Sequence, residues 1–358
     1  MKKVKKLYSN IIYTPFGDKL LKYTGVGKLV NMYFLKKEKE KLLAEAKREY
    51  ENGSSLGTLS DYKNALYKHW ISYNEYACQY DFPHKSEEER EEFVTRLKMV
   101  YFYLCYVPGY TKPLFKNKKR FLEYFNKYIH RKWLYAPESS YEEFIELVSN
   151  YDCIVKPCDD MRGRGIFKTN KKADQSNREL FDFCVRKRML VEECICECED
   201  LKVFHPQSLN TIRVVTVSNK EKAEVFGSFF RMGVGNSIVD NAHAGGIFAQ
   251  VNVRDGVIES DGINTNGDRF VYHPDSKKKI KGFKIPKWDL ICETCCEAAK
   301  LTENTITGWD VVINNQGDVE FVEGNNRSDF DVMQSPLQVG VKKKIFSKIK
   351  EYKGVEMR

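Results

Sequence analysis

The chain has 358 residues, of which 42% are hydrophobic and 30% charged, and its net charge is +9. That length suits two domains or one large domain with an appendage, and the composition is that of a globular protein. No apolar run approaches the ~20 residues that cross a bilayer, and the basic start "MKKVKKLYSNIIY" lacks the apolar core of a secretory signal, so a cytoplasmic protein is expected.

The eleven cysteines have neither the spacing nor the short chain of a disulfide scaffold. Positive charge is spread over short runs such as "KNKKR" and "KKKIKGFK". It favours polyanionic partners, including nucleotides, phosphorylated sugar carriers, acidic glycans and an anionic membrane face. No nucleic-acid-binding signature accompanies it, so nucleic acid is not an expected partner.

In chain order, the first half reads as helical. Good helix formers fill Leu35 to Tyr50, and "NGSS" supplies a stop and a restart. Residues 60–80 and 86–107 carry apolar side chains at helical spacing, the second opening on a Ser cap and an acidic first turn. After Pro108-Gly109-Tyr110 a basic helix resumes, its apolar stripe formed by Phe121, Tyr124, Phe125 and Tyr128. All of these read as scaffold.

The second half changes to short β-branched runs: "DCIVKP", "RMLVEE", "NTIRVVTV", "AEVFGSFFRM" and "IFAQVNV", with one helix near 286–304. The mixture predicts an α+β fold around an antiparallel sheet. "ECICEC" sets Cys194, Cys196 and Cys198 on alternate positions of a predicted strand, and Cys292, Cys295 and Cys296 fall on the helix. The single C-x₂-C pair lacks the second pair a zinc site needs, which leaves these as buried or incidental thiols.

Chemistry concentrates in three places. "GWDVVINNQGDVEFVEGNN" (308–326) reads as a hairpin whose loop is either Gln316-Gly317 or Asn315 to Asp318. In either register Asp310 faces Glu323, two like charges that would destabilise the sheet, and Asn325 shares the Glu323 face. A bound Mg²⁺ would turn that repulsion into ligation. "IVKPCDDMRGRGIFK" (154–168) joins a strand-ending Lys156 to a loop with Gly163 and Gly165, which suits phosphate oxygens as well as an ordinary hairpin. In "RMLVEECICECEDL", Glu192, Glu193 and Ile195 offer backbone groups to a flat base, and Glu199 a carboxylate to ribose; a solvated acidic strand end is the other reading.

Taken in order, "KNKKRF", Lys156-Pro157 with its glycine loop, "LVEECI", and the hairpin carboxylates resemble the ATP-grasp fold over residues 112–340. "HPQSLNTIRVVTV", "DNAHAGGIFAQVNV" and "GWDVVI…FVEGN" resemble its sugar-transfer-associated branch, found among bacterial surface-polysaccharide genes. The resemblance implies two α+β subdomains gripping ATP, at 112–190 and 191–358, behind a helical region 1–111. It implies Lys119, or its neighbour Lys118, and Lys156 as phosphate-binding lysines, and Gly163 and Gly165 as the loop over the phosphates. Glu192, Glu193 and Ile195 fall at the adenine and Glu199 at the ribose. Asp310, Glu323 and Asn325 match ligands for two Mg²⁺ ions. Lys118 also stands where the family has an acidic residue, and the loop carries Asp159, Asp160, Arg162 and Arg164 in place of small residues.

Arg213, mid-strand among apolar neighbours, needs an anionic partner, either a transferred phosphate or a structural ion pair. Arg327 is a further candidate for that phosphate. Asn210, Asn241, Gly245 and Gly246 are candidates for substrate contact, and His243 for the acceptor's proton. The implied activity is an ATP-dependent carboxylate–amine ligase that forms an acyl phosphate. Its carboxylate would be a sugar acid, and glycosyltransferases of the same pathway would be its partners. A phosphotransferase stopping at phosphoryl transfer is the alternative, as is a nucleotide-binding scaffold held at the inner membrane face by basic N-terminal helices.

Overall fold

A computed structural model describes residues 14–23, 25–53, 57–159, 165–169, 176–236 and 245–353. The front of the chain is helical, with helices Pro15–Tyr23, Gly25–Glu51, Leu59–His69 and Arg96–Tyr106. The helix expected over 86–107 is divided. Ser86 and Glu89 form a reciprocal capping box on the short helix Glu87–Glu91, and the next helix begins at Arg96. The interruption is tertiary: Val94 N–H donates to Gln334 Oε1 (2.8 Å) and Leu97 N–H to Trp70 O (3.0 Å), so groups a continuous helix would pair internally serve other segments. The helix expected over 60–80 likewise stops at His69, where Trp70 turns left-handed at φ 59°. Tyr62, Tyr80, Phe82 and Phe93 give this region an aromatic core of its own.

Two antiparallel sheets follow. β1 (Trp133–Tyr135), β2 (Cys153–Pro157), β3 (Phe167–Thr169) and β4 (Met189–Glu193) lie in the order β1-β4-β2-β3. Helices Tyr141–Asn150 and Ser176–Lys187 bury Phe144, Leu147, Phe181 and Cys184 against Val155 and Val191 of this sheet. The second sheet holds β5 (Ile212–Ser218), β6 (Ala223–Met232), β7 (Ile247–Val251), β8 (Gly262–Ile263), β9 (Arg269–Phe270), β10 (Ile306–Ile313) and β11 (Val319–Asn325). Their order is β11-β10-β5-β6-β7-β8-β9.

Alternation along β5 and β6 sends Val214 and Phe230 into one core with helix Trp288–Lys300, and Val215 and Phe229 into another with helix Lys342–Lys353, so both faces are covered. Phe121, Phe125 and Tyr128 pack behind the β10–β11 hairpin on Trp309 and Phe321, while Tyr124, half exposed, leaves that stripe. "ECICEC" is not a strand: β4 ends at Glu193, and Cys194 N–H donates to Asp152 O (2.7 Å) as the chain leaves one sheet for the other. All eleven cysteines are free thiols. Among the described residues no helix is long and apolar enough to cross a membrane.

Candidate active site

The β10–β11 hairpin reaches the expected pairing by an unexpected route. Ile313 pairs with Val319 and Asn314 N–H donates to Asp318 O (3.0 Å), leaving a three-residue loop in which Gly317 adopts φ 89°. A bulge at Val322 then shifts the register, so that Asp310 faces Glu323 and Gly308 faces Asn325.

Asp310 does not meet Glu323 as a bare repelling pair. β5 sets Arg213 opposite Asp310 on the other side. Arg213 Nε and Nη2 both donate to the carboxylate, the latter at 2.7 Å, and Arg231 of β6 approaches within 3.0 Å. Burial would raise the Asp310 pKa, but the Arg213 and Arg231 charges outweigh it and hold the carboxyl well below the usual carboxylate range. Glu323 is open to solvent, yet flanking protein walls and then the Asp310 charge move its carboxyl above its ordinary value. Asn325 Nδ2 leans toward Glu323 Oε1 at 3.5 Å. Arg213 therefore takes the structural alternative, as the counter-ion of Asp310, and Arg231 is the arginine that lines the adjoining cavity.

That cavity, of 630 Å³, lies between the sheets. Lys156 and Lys168 line it from the first sheet and Arg231, Asp310 and Glu323 from the second, with Lys118 of the helix Lys118–Tyr124 also in the lining and residues 193–197 along its wall. Burial, then the neighbouring Lys156 charge, lowers the pKa of Lys118. Lys119 points elsewhere: it pairs with Glu138 (2.6 Å) and Glu123 (3.3 Å) in a separate hollow. Of the two candidate lysines, Lys118 is the one at the cavity.

Lys156, next to last in β2, holds its Nζ 2.7 Å from Glu192 Oε1. The other Glu192 oxygen accepts from Arg131 Nε at 2.7 Å, and the same guanidinium donates to Glu320 on β11 and to Phe321 O. Burial alone would raise the Glu192 pKa; the Lys156 and Arg131 charges outweigh it and hold it below the ordinary value. Glu192 is thus a buried counter-ion linking the two sheets through Arg131. Along the wall, the N–H groups of Glu193 and Cys194 are taken by Lys132 O and Asp152 O. Among the described residues the Ile195 N–H has no hydrogen-bond partner.

Residues 184–351, which supply Glu192, the wall and the whole second sheet, match the family described as sugar-transfer associated ATP-grasp. Two α+β units meet at the cavity behind a helical front, and the matched residues hold the whole of the second unit's sheet. Similar solved structures include ATP-grasp ligase PsnB complexed with minimal precursor, at 14% identity and TM-score 0.44, over 69% of this chain and 64% of that one. Another is N5-carboxyaminoimidazole synthase from Aspergillus clavatus in complex with ADP and 5-aminoimidazole ribonucleotide, at 10% identity and TM-score 0.40, over 66% and 53%. The chain spans less than two thirds of the length of either. Comparison with curated proteins gives no match.

Other expected positions fall away from the cavity. Glu199 is exposed and pairs with Lys202 (2.6 Å), whereas buried Glu197 lines the cavity. Asn210, fully buried, spends its amide on Glu197 Oε1, Leu201 O and His205 O, and so supports Glu197 without reaching the cavity. The Arg327 guanidinium lies 5.6 Å from the Tyr103 ring centroid, outside the cavity lining. Gly245 and Gly246 precede β7, also outside it. Gly165 takes φ 70°, and a Cβ there would stand 3.3 Å from Pro157 Cγ, so the chain needs glycine at this turn. Gly163, Asn241 and His243 lie outside the described residues.

Lys168, Arg231, Glu197 and Arg131 were not singled out in the sequence. The available signal was periodicity for two of them: Lys168 pairs with Ile154 across β2 and β3, and Arg231 shares a strand face with Phe229, the partner of Arg213.

Proposed function

We propose that this protein is an ATP-dependent ligase that activates a carboxylate as an acyl phosphate and joins it to an amine. The observation that carries the reading is the convergence of Lys118, Lys156 and Lys168 with Arg231, Asp310 and Glu323 on one cavity, beside a wall that presents the Ile195 N–H. The adenine edge accepts from that N–H, Glu197 faces the ribose, and the cationic groups take the phosphates. In the first step a carboxylate oxygen of the substrate attacks the terminal phosphorus, and the bond to the leaving ADP oxygen breaks. In the second the amine attacks the acyl carbon, inorganic phosphate leaves, and the amine proton passes to solvent. Lys118, Lys156 and Arg231 stabilise charge on the transferred phosphoryl group, an electrostatic task that needs no covalent intermediate on the chain.

For the divalent cation, the donor set divides. Glu323 is open, and the Asn325 carbonyl oxygen is two residues along the same strand, a carboxylate and amide pair that fits Mg²⁺. Asp310 fits less well, because both its oxygens already accept from Arg213 and Arg231 approaches one of them. Glu323 and Asn325 are the residues that would hold the ion, which when bound neutralises phosphate charge. The expected second ion finds no open carboxylate at Asp310.

By resemblance the carboxylate belongs to a sugar acid and the amine to an amino acid or related compound of surface-polysaccharide synthesis. ATP turnover screened against sugar acids paired with amino acids, with mass spectrometry of products, tests this. ADP and phosphate accompanying an amide support the ligase; a stable phosphorylated product would make it a phosphotransferase, and no turnover with any pair would favour a scaffold.

A further inference from the structure

The lysine-rich segment after β9 has no part in the cavity. Residues 271–280 turn back on themselves: Tyr272 pairs with Lys279, His273 N–H donates to Lys278 O (2.8 Å), and Ile280 N–H to Val271 O (3.1 Å). The turn is completed by Lys277 at φ 59°, and Lys284 then pairs with Val257. Ile280 is buried and roots the hairpin in the core of the second sheet. Lys277, Lys278, Lys279, Lys281 and Lys284 are all exposed. Among the described residues none of the five has an ion pair. The nearest acid in sequence, Asp275, accepts from Gly235 N–H at 2.7 Å. Beside them Val271 and Tyr272 are 47% and 55% exposed.

We infer that this hairpin docks the protein on an anionic bilayer. Lysines without counter-ions respond to the diffuse negative potential of such a surface, and an exposed valine–tyrosine pair suits the headgroup zone, where amphipathic rings settle. The alternatives fit less well. The segment 277–284 contains no arginine, the side chain suited to bidentate capture of a discrete phosphate, and one tyrosine does not make the row of stacking rings that holds single-stranded nucleic acid. β9 and β11 are opposite edges of the seven-stranded sheet. The base of the hairpin abuts the end of β6, where His273 Nε2 meets Gly233 O at 2.8 Å, while none of its five lysines lines the cavity. The lysines can therefore meet a surface without entering the cavity.

The test is co-sedimentation of the full chain with phosphatidylglycerol–phosphatidylcholine vesicles and with pure phosphatidylcholine vesicles, at low and high salt. Wild type should pellet with the anionic vesicles only, and less at high salt. Each lysine removed should weaken binding about fivefold, so the triple variant Lys278→Gln, Lys279→Gln, Lys281→Gln should lose about a hundredfold while its thermal unfolding stays as in wild type. Tyr272→Ser should weaken binding without changing its salt dependence. Failure of wild type to pellet, or unchanged binding by a folded triple variant, overturns the inference. So does tighter binding to single-stranded RNA or heparin through the same lysines, which would assign the hairpin to a soluble polyanion.

Discussion

Replacing Arg131 with Met tests how the two sheets are held at the cavity. The Arg131 side chain is 3% exposed, and those of its carboxylate partners Glu192 and Glu320 are 4% and 1% exposed. Glu192 retains Lys156 at 2.7 Å, so Glu320 bears most of the loss, keeping, among the described residues, the His130 N–H at 2.8 Å. Removing one partner of a buried pair costs about 3–5 kcal/mol, because the other charge stays desolvated. Set against a typical domain stability of about 5–15 kcal/mol, that is roughly a fifth or more of the total. Urea unfolding followed by circular dichroism should show the midpoint falling accordingly. Adding Glu320→Gln to Arg131→Met should return part of the loss, since the orphaned charge is then gone. A single variant within about 1 kcal/mol of wild type, or a double variant worse than the sum of both singles, would refute the reasoning.

Acid titration reads the Asp310 cluster. Its folded pKa is depressed below the unfolded value, so its stabilisation is present above the unfolded pKa and is lost as pH falls through the folded one; in Asp310→Asn the unfolding midpoint should lose that part of its acid dependence. Lys118 gives the opposite edge. Its pKa is lowered by burial and Lys156, so ADP affinity measured by calorimetry should fall with rising pH before the ordinary lysine range is reached, and Lys118→Met should flatten that fall. Gly324 carries a steric test: a Cβ there would sit 2.5 Å from Phe121 Cε2 and 3.0 Å from Phe115 Cδ1. Overpacking of this kind costs about 1–3 kcal/mol, and because Gly324 lies between Glu323 and Asn325, Gly324→Ala should weaken Mg²⁺-dependent ADP binding more than metal-free binding.

What the sequence made legible was local. The alternation of Trp309 to Ile313 and Val319 to Val322 marked both hairpin strands, and the Asp310–Glu323 pairing follows from it even though the loop and bulge differ. Strands β2, β4, β5, β6 and β7 announced themselves through β-branched runs. The partners of those residues did not. Arg213, Arg231 and Asp310 meet across three strands separated by up to 97 residues, and Arg131, Glu192 and Glu320 meet across two sheets; charge compensation at that range depends on topology, which periodicity does not encode. The choice between Lys118 and Lys119 turned on one helical step, about 100° of rotation, and only packing of Phe121 and Leu122 into the core decides which faces inward. The divided helix at 92–95 was hidden for the same reason, because its interruption is made by Gln334.

Calorimetric titration of Mg²⁺–ADP into wild type, Lys156→Ala and Glu323→Ala tests the central claim most directly, with far-ultraviolet circular dichroism confirming each fold. The account predicts micromolar binding by wild type, loss of at least tenfold in Lys156→Ala, and loss of the Mg²⁺ dependence in Glu323→Ala. Equal affinity in all three proteins would contradict it.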